Sequence, residues 1–176
     1  MGYRITFVIG GARSGKSSFA LREAAKIEGR KAYIATAQAL DDEMTERIRK
    51  HKDERGAEWD TFEEPVKVPE IIADIKDKYS VIVLDCLTIW LSNMMCSNID
   101  CNTKIDDLIT VLKNSQLSTL NSRLFIVSNE VGMGIVPENE LARRFRDMAG
   151  FLNQKAAEIA DEVYLVTAGI PTKIKG

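Results

Sequence analysis

Apolar positions along this chain come in two alternating kinds. Strand-sized runs occur at residues 3–9, Lys31-Ala-Tyr-Ile-Ala35, Val81-Ile82-Val83-Leu84-Asp85, Arg123-Leu-Phe-Ile-Val-Ser128 and Glu162-Val-Tyr-Leu-Val-Thr167. Between them apolar residues recur at helical spacing. Phe19, Ala20, Ala24 and Ile27 mark a helix that Gly29 stops, and Met44, Ile48, His51 and Arg55 share one face of a second, with Asp41 as N-cap and Asp42 and Glu43 in its first turn. Residues 59–65 read as an extended segment ended by Pro65, followed by a helix on Val68, Ile71, Ile72 and Ile75. Further helices are expected at Leu87–Met95, on Ile105, Leu108, Ile109 and Leu112, and on Leu141, Phe145, Met148, Ala149, Leu152, Ala156 and Ile159, the last with Pro137 in its first turn. Residues 97–103 are polar and turn-rich, the expected surface excursion, and 162–167 is the last expected strand. Strand and helix in alternation predict a three-layer α/β domain with a mainly parallel central sheet, taken as one domain over residues 1–176.

The glycine-rich loop Gly10–Ser17 after the first strand, set in this alternation, predicts a P-loop NTPase (RecA-like) domain. Gly10-Gly11-Ala12-Arg13-Ser14-Gly15-Lys16-Ser17 satisfies G-x-x-x-x-G-K-[ST] at every specified position. Glycines let successive N–H groups curl around phosphate oxygens, Lys16 places its charge on the outer phosphates, and the Ser17 hydroxyl can ligate Mg2+. The following helix turns its positive end to the same anion. Asp85, closing a buried strand, is the second expected metal residue; alternatively or additionally it N-caps the next helix. Thr36, Ala37 and Gln38 follow a parallel strand and so reach the same sheet edge as the phosphate loop. Asn129-Glu-Val-Gly-Met-Gly134 also follows a strand, its two glycines suggesting a close approach to a ligand or another backbone. Arg144 and Arg146 flank the long helix's apolar stripe, placed for substrate phosphates, solvent or a subunit contact.

Composition narrows the partners. Lys plus Arg number 24 against 26 Asp plus Glu, a net charge of −2 with no basic excess for nucleic acid. No apolar run approaches the roughly 20 residues of a membrane span and the start lacks a signal-peptide layout, so a cytoplasmic protein is expected. Cys86, Cys96 and Cys101 form no C-x-x-C pair, which argues against a disulfide framework and a zinc site. A switch GTPase is disfavoured because Asn129-Glu130-Val131-Gly132 and Asp85-Cys86-Leu87-Thr88 fit neither N-K-x-D nor D-x-x-G. The only histidine, His51, is flanked by Arg49, Lys50 and Lys52; on its own it reads as an ordinary half-exposed helix residue rather than a catalytic one.

At this point the sequence resembles the bifunctional adenosylcobinamide kinase/adenosylcobinamide-phosphate guanylyltransferases of the cobalamin pathway, from residue 5 to residue 175. The resemblance rests on the phosphate loop, Tyr33-Ile-Ala-Thr-Ala37, Asp41-Asp-Glu-Met44, Arg47-Ile48 with His51, Trp59-Asp-Thr-Phe-Glu63, Asn129 through Asn139, and Ala142-Arg-Arg-Phe-Arg-Asp147; Cys96 to Gln116 takes no part. The run Asn129 to Asn139 is its most specific portion. The resemblance implies phosphorylation of adenosylcobinamide from ATP or GTP, then guanylylation of His51 by GTP and transfer of GMP to adenosylcobinamide phosphate. It also implies that nucleotide is held by Gly10, Gly11, Ala12, Arg13, Ser14, Gly15, Lys16 and Ser17, by Thr36, Ala37 and Gln38, by Lys52, Asp53, Glu54 and Arg55, by Glu63 and by Asp85, in a homotrimer. The residue chemistry is compatible: a neutral imidazole is a good nucleophile near pH 7, and Lys16 with Mg2+ can neutralise a pyrophosphate leaving group. Two other readings fit the phosphate loop: a small-molecule kinase without guanylyl transfer, and a nucleotide-binding regulatory module, which the 129–139 loop disfavours.

Overall fold

The computed structural model describes residues 4–39, 45, 46, 49, 52, 55, 56, 58–115 and 122–176. The elements run β1 (Arg4–Gly10), α1 (Lys16–Ala25), β2 (Lys31–Ala35), β3 (Trp59–Glu63), α2 (Val68–Ile75), β4 (Val81–Asp85), α3 (Leu87–Cys96), α4 (Cys101–Ser115), β5 (Arg123–Asn129), α5 (Glu140–Ile159), β6 (Glu162–Thr167) and β7 (Ile170–Lys175). They build a sheet of order β3-β2-β4-β5-β1-β6-β7, parallel except for β7 against β6. Strand β5 therefore lies between β1, which feeds the phosphate loop, and β4, which ends at Asp85. All three open onto the carboxyl edge where ligands of such sheets bind.

Alternate residues of each strand feed two cores. Ile5, Phe7, Ile34, Ile82, Leu84, Leu124 and Ile126 face α2 to α5 in the larger one, around the fully buried Trp90, Leu91 and Met94. Val8, Tyr33, Val81, Val83, Phe125, Val127 and Val166 meet Phe19, Ala20 and Ala24 of α1 on the opposite face. This is the three-layer arrangement expected from the alternation of strands and helices.

The structure corrects several expected boundaries. Helix α1 ends at Ala25, so Ile27 lies beyond it, before Gly29 at φ 106°. Helix α5 begins at Glu140 rather than at Pro137, because Asn139 caps it by accepting from the Ala142 N–H at 3.0 Å. Leu141, expected in the core, is 61% exposed: it sits in the first turn, and the buried residues of the helix begin only at Ala149. The turn-rich excursion is shorter than residues 97–103, since α4 already starts at Cys101, with Asp100 accepting from Asn102 N and Thr103 Oγ1 just ahead of it. Strand β6 is not the last. Ala168 and Gly169, at φ 51° and 81°, form a two-residue reversal into β7. The cysteines are free, with Cys86 and Cys101 buried and Cys96 exposed. Of the second expected helix, Thr45, Glu46, Arg49, Lys52 and Arg55 have helical backbone; Asp41, Asp42, Glu43, Met44, Ile48, His51, Asp53 and Glu54 lie outside the described residues.

One polar cluster ties the sheet together at its amino end. Glu162 is buried and accepts from Arg4 at 2.9 Å and Lys173 at 2.7 Å, with Arg123 at 3.7 Å. The Lys173 hydrogen bond, then Arg4 and Arg123, hold its carboxyl below the usual glutamate range although burial works the other way. A depressed carboxyl contributes stability that is present above its unfolded value and lost as pH falls through the folded one. Glu162→Gln should therefore cost about 1–2 kcal/mol at pH 7, and that gap should shrink on acidification below about pH 4.3. Urea unfolding of both proteins across pH 3–7 checks this; a gap that stays constant to acid would remove the ionic contribution.

Candidate active site

The phosphate loop is held open by its own backbone and by two neighbours. Arg13 and Gly15 take positive φ, 55° and 93°, and Gly15 caps α1 with no side chain over the first amides, which remain available to an anion. The Gly169 N–H donates to the Ser14 carbonyl at 2.8 Å, and the Glu130 N–H to the Gly10 carbonyl at 2.9 Å, so both the β6–β7 turn and the start of the 129–139 loop brace it. Lys16 is 6% exposed, its Nζ donating to the Gly11 carbonyl at 2.8 Å, folded over the concavity it is expected to serve. Ser17 is half-buried. Ser14 Oγ is buried with no hydrogen-bond partner, packed towards Gly10.

Gly10 is required for space. A Cβ there would land on the Val166 carbonyl oxygen and lie 2.6 Å from Ser14 Oγ. Backbone cannot move aside as a flexible side chain can, so Gly10→Ala should force β1 and β6 apart and cost about 2–3 kcal/mol. The expected thermal shift is a fall of roughly 5–10 °C together with weaker nucleotide binding; a variant with the native melting temperature would contradict the close packing.

Asp85 ends β4, half-buried, and its Oδ2 accepts from Tyr33 Oη at 2.8 Å. The N-cap of α3 is Cys86, so Asp85 does not serve as that cap and its carboxylate stays available at the sheet edge. Burial, with Asp85 beside it, pushes the Tyr33 hydroxyl well above the ordinary tyrosine range, which keeps it protonated and donating. Burial likewise pushes the Cys86 thiol up to about 11, so it is no thiolate nucleophile at neutral pH.

Thr36 is fully buried and spent on structure. Its Oγ1 accepts from Cys86 N and donates to Cys86 O, its N–H donates to Asp85 O, and its carbonyl accepts from Asn93 Nδ2. It stitches the ends of β2 and β4 together. Ala37 and Gln38, by contrast, line a cavity of about 590 Å³ with Thr45, Arg49, Lys52 and Glu63. Lys52 and Glu63 are ion-paired across it. The expected nucleotide residues thus fall into two groups, residues 10–17 with Asp85 at the ends of β1 and β4, and Ala37, Gln38, Lys52 and Glu63 beyond the ends of β2 and β3. Arg55 lies between neither; it is buried over the Tyr33 ring, 3.8 Å from its centroid.

Thr88, Ser128 and Asn153, not singled out from sequence, anchor the predicted loop that starts at Asn129. Asn129 Nδ2 donates to Thr88 Oγ1 at 2.6 Å, and its carbonyl accepts from the buried Asn153, which also receives the Ser128 hydroxyl. This network fixes the end of β5 beside the phosphate loop. Beyond it Glu130 accepts from the amides of Gly132 and Met133, while Met133, Ile135 and Val136 are exposed. Arg146 pairs with Asp147 at 2.9 Å, and Arg144 is exposed.

The donor set suits magnesium. Ser17 and Asp85 offer hard oxygens, and among the described residues no three His, Cys, Asp or Glu side chains form a protein cage. An ion that keeps waters and phosphate oxygens in its shell needs no such cage.

Comparison with known proteins bears on the fold and the family. Two solved structures share the fold at low identity: the RadB recombinase, TM-score 0.57 at 13% identity over 93% of this chain and 74% of that one, and a type III secretion ATPase, 0.58 at 10% over 97% and 56%. Curated relatives are much nearer. The bifunctional adenosylcobalamin biosynthesis protein CobP of Pseudomonas aeruginosa is 41% identical over 169 residues, covering 96% of each chain. Its counterpart CobU of Salmonella typhimurium is 42% identical over 182 residues, covering 96% of this chain and 98% of that one. The family model described as cobinamide kinase / cobinamide phosphate guanyltransferase matches residues 6–174, and the chain belongs to that family.

Proposed function

We propose that this chain phosphorylates adenosylcobinamide and then transfers GMP from GTP to adenosylcobinamide phosphate, giving adenosylcobinamide-GDP. The observation that carries the reading is a complete phosphate loop, with Lys16 folded over it, in a chain that matches the family across 6–174. The substrates are ATP or GTP and the corrinoid acceptor. In the first step the acceptor hydroxyl attacks the γ-phosphorus, gains the phosphoryl group, loses its proton and releases the nucleoside diphosphate. In the second, a His51 ring nitrogen attacks the α-phosphorus of GTP, a P–N bond forms, and pyrophosphate leaves. A phosphate oxygen of adenosylcobinamide phosphate then attacks the same phosphorus and frees the imidazole.

Residues 10–17 cradle the phosphates, with Lys16 compensating the charge on whichever group leaves. Mg2+, held by Ser17 and Asp85 with phosphate oxygens and water, would supply further charge neutralisation. Ala37, Gln38, Lys52 and Glu63 hold the remainder of the nucleotide, with Asp53, Glu54 and Arg55 on the same segment, and Thr36 supports them through Cys86. We place the enzyme in the cytoplasm as a homotrimer; exposed Met133, Ile135, Leu141 and Ile170 give it apolar surface to cover.

Incubation with GTP labelled at the α-phosphate tests this. The expected result is protein-bound label that is acid-labile and alkali-stable, as a phosphoramidate is, and that moves to adenosylcobinamide phosphate on its addition. Transfer of γ-label to adenosylcobinamide with no protein labelling would leave a kinase alone.

A further inference from the structure

We propose that Tyr33 is a positioning residue for the metal carboxylate, holding Asp85 by one oxygen so that the other faces the phosphate loop. The proposal rests on the reading of Asp85 as a magnesium ligand. Tyr33 pairs in register with Val83, two residues before Asp85 on β4, so both side chains leave the same face of the sheet. That register brings Tyr33 Oη to 2.8 Å from Asp85 Oδ2.

The tyrosine cannot easily swing away. It is 3% exposed, with the Trp59 ring edge-on at 6.4 Å and 83°. The Arg55 guanidinium lies over its face at 3.8 Å, itself only 7% exposed. With its ring pinned on two sides, the hydroxyl has one direction in which to donate. A carboxylate on a short side chain otherwise rotates about its terminal bond, so a fixed donor on Oδ2 sets where Oδ1 points. Partners of this kind behind a metal ligand carry about 10- to 100-fold of metal affinity.

A second consequence follows from Arg55. It shares helical backbone with Lys52, so the residue that orients the metal carboxylate also seats Arg55 against β2.

Tyr33→Phe removes the hydroxyl and keeps the ring between Trp59 and Arg55. Mn2+ would be titrated, with free ion followed by electron paramagnetic resonance, into wild type, Tyr33→Phe and Asp85→Asn, each saturated with an α,β-methylene analogue of GTP that cannot guanylylate the protein. Tyr33→Phe should weaken Mn2+ binding about 10-fold, leave metal-free nucleotide affinity within about twofold, and keep the melting temperature within a few degrees. Both reactions should fall together at low Mg2+ and recover at high Mg2+, which a merely structural loss would not do. Native Mn2+ affinity in Tyr33→Phe, with weakened affinity in Asp85→Asn, overturns the positioning role alone. Native affinity in both variants overturns the metal role of Asp85 and the proposal with it.

Discussion

Lys16→Ala should reduce phosphorylation of adenosylcobinamide and guanylyl transfer alike, each by about a thousandfold or more in kcat/KM. Removing one preorganised donor to developing charge costs about 10²–10³ in rate; Lys16 is a full charge held in a buried setting, 6% exposed, and serves binding as well as the leaving group. The two reactions differ in which phosphorus is attacked, but both release a phosphate chain from the same loop. The loss should therefore be common to both, the signature that separates this position from one acting on a single step. Folding should be spared. The Nζ bond to the Gly11 carbonyl is given up, but an alanine in the first turn of α1 is favourable to the helix. A melting temperature within a few degrees of wild type, measured beside both activities, confirms that the loss is chemical. Retention of either activity above about a tenth would mean that this step is served by a different phosphate site.

The succession of strand and loop along the chain explains why part of this was legible from sequence. The phosphate loop and Asp85 each follow a buried apolar run, and strand-then-loop is local information that needs no knowledge of the sheet. The cavity group was legible only in part: Ala37 and Gln38 follow β2 directly, whereas Lys52 and Glu63 meet only because β3 lies beside β2. What escaped depends on register. Tyr33 and Asp85 are 52 positions apart, and nothing in either run says that they share a face until β2 is paired with β4. Thr36 shows the same limit: its place after β2 suggested a ligand contact, while its burial assigns its polar groups to the strand ends. Strand β7 escaped because Pro171 weakens a strand reading and Ala168-Gly169 is a less common spelling of a two-residue reversal. The proline is tolerated at the outer edge of the sheet. Leu141 was assigned to the core by periodicity, which continues past the point where the helix has anything to cover it.

His51→Ala should divide the two reactions. On the proposed scheme the imidazole forms a bond only in guanylyl transfer, so that activity should fall about 10⁴-fold or more, the scale of losing a nucleophile, while kinase activity stays within about threefold of wild type. Covalent α-label should disappear. Lys52 makes the comparison sharper, since it is paired with Glu63 at the cavity and is a second candidate for phosphoramidate attachment. Lysine and histidine adducts differ in the attached nitrogen, so digestion of labelled protein and mass spectrometry of the peptide spanning residues 50–52 assigns the site. Label that survives His51→Ala and maps to Lys50 or Lys52 would overturn the histidine. A kinase that falls together with the transferase would instead make His51 a shared pocket residue. The expected split, with phosphorylation intact and transfer lost, is what one phosphate loop serving two phosphorus atoms predicts when only one of them meets a protein nucleophile.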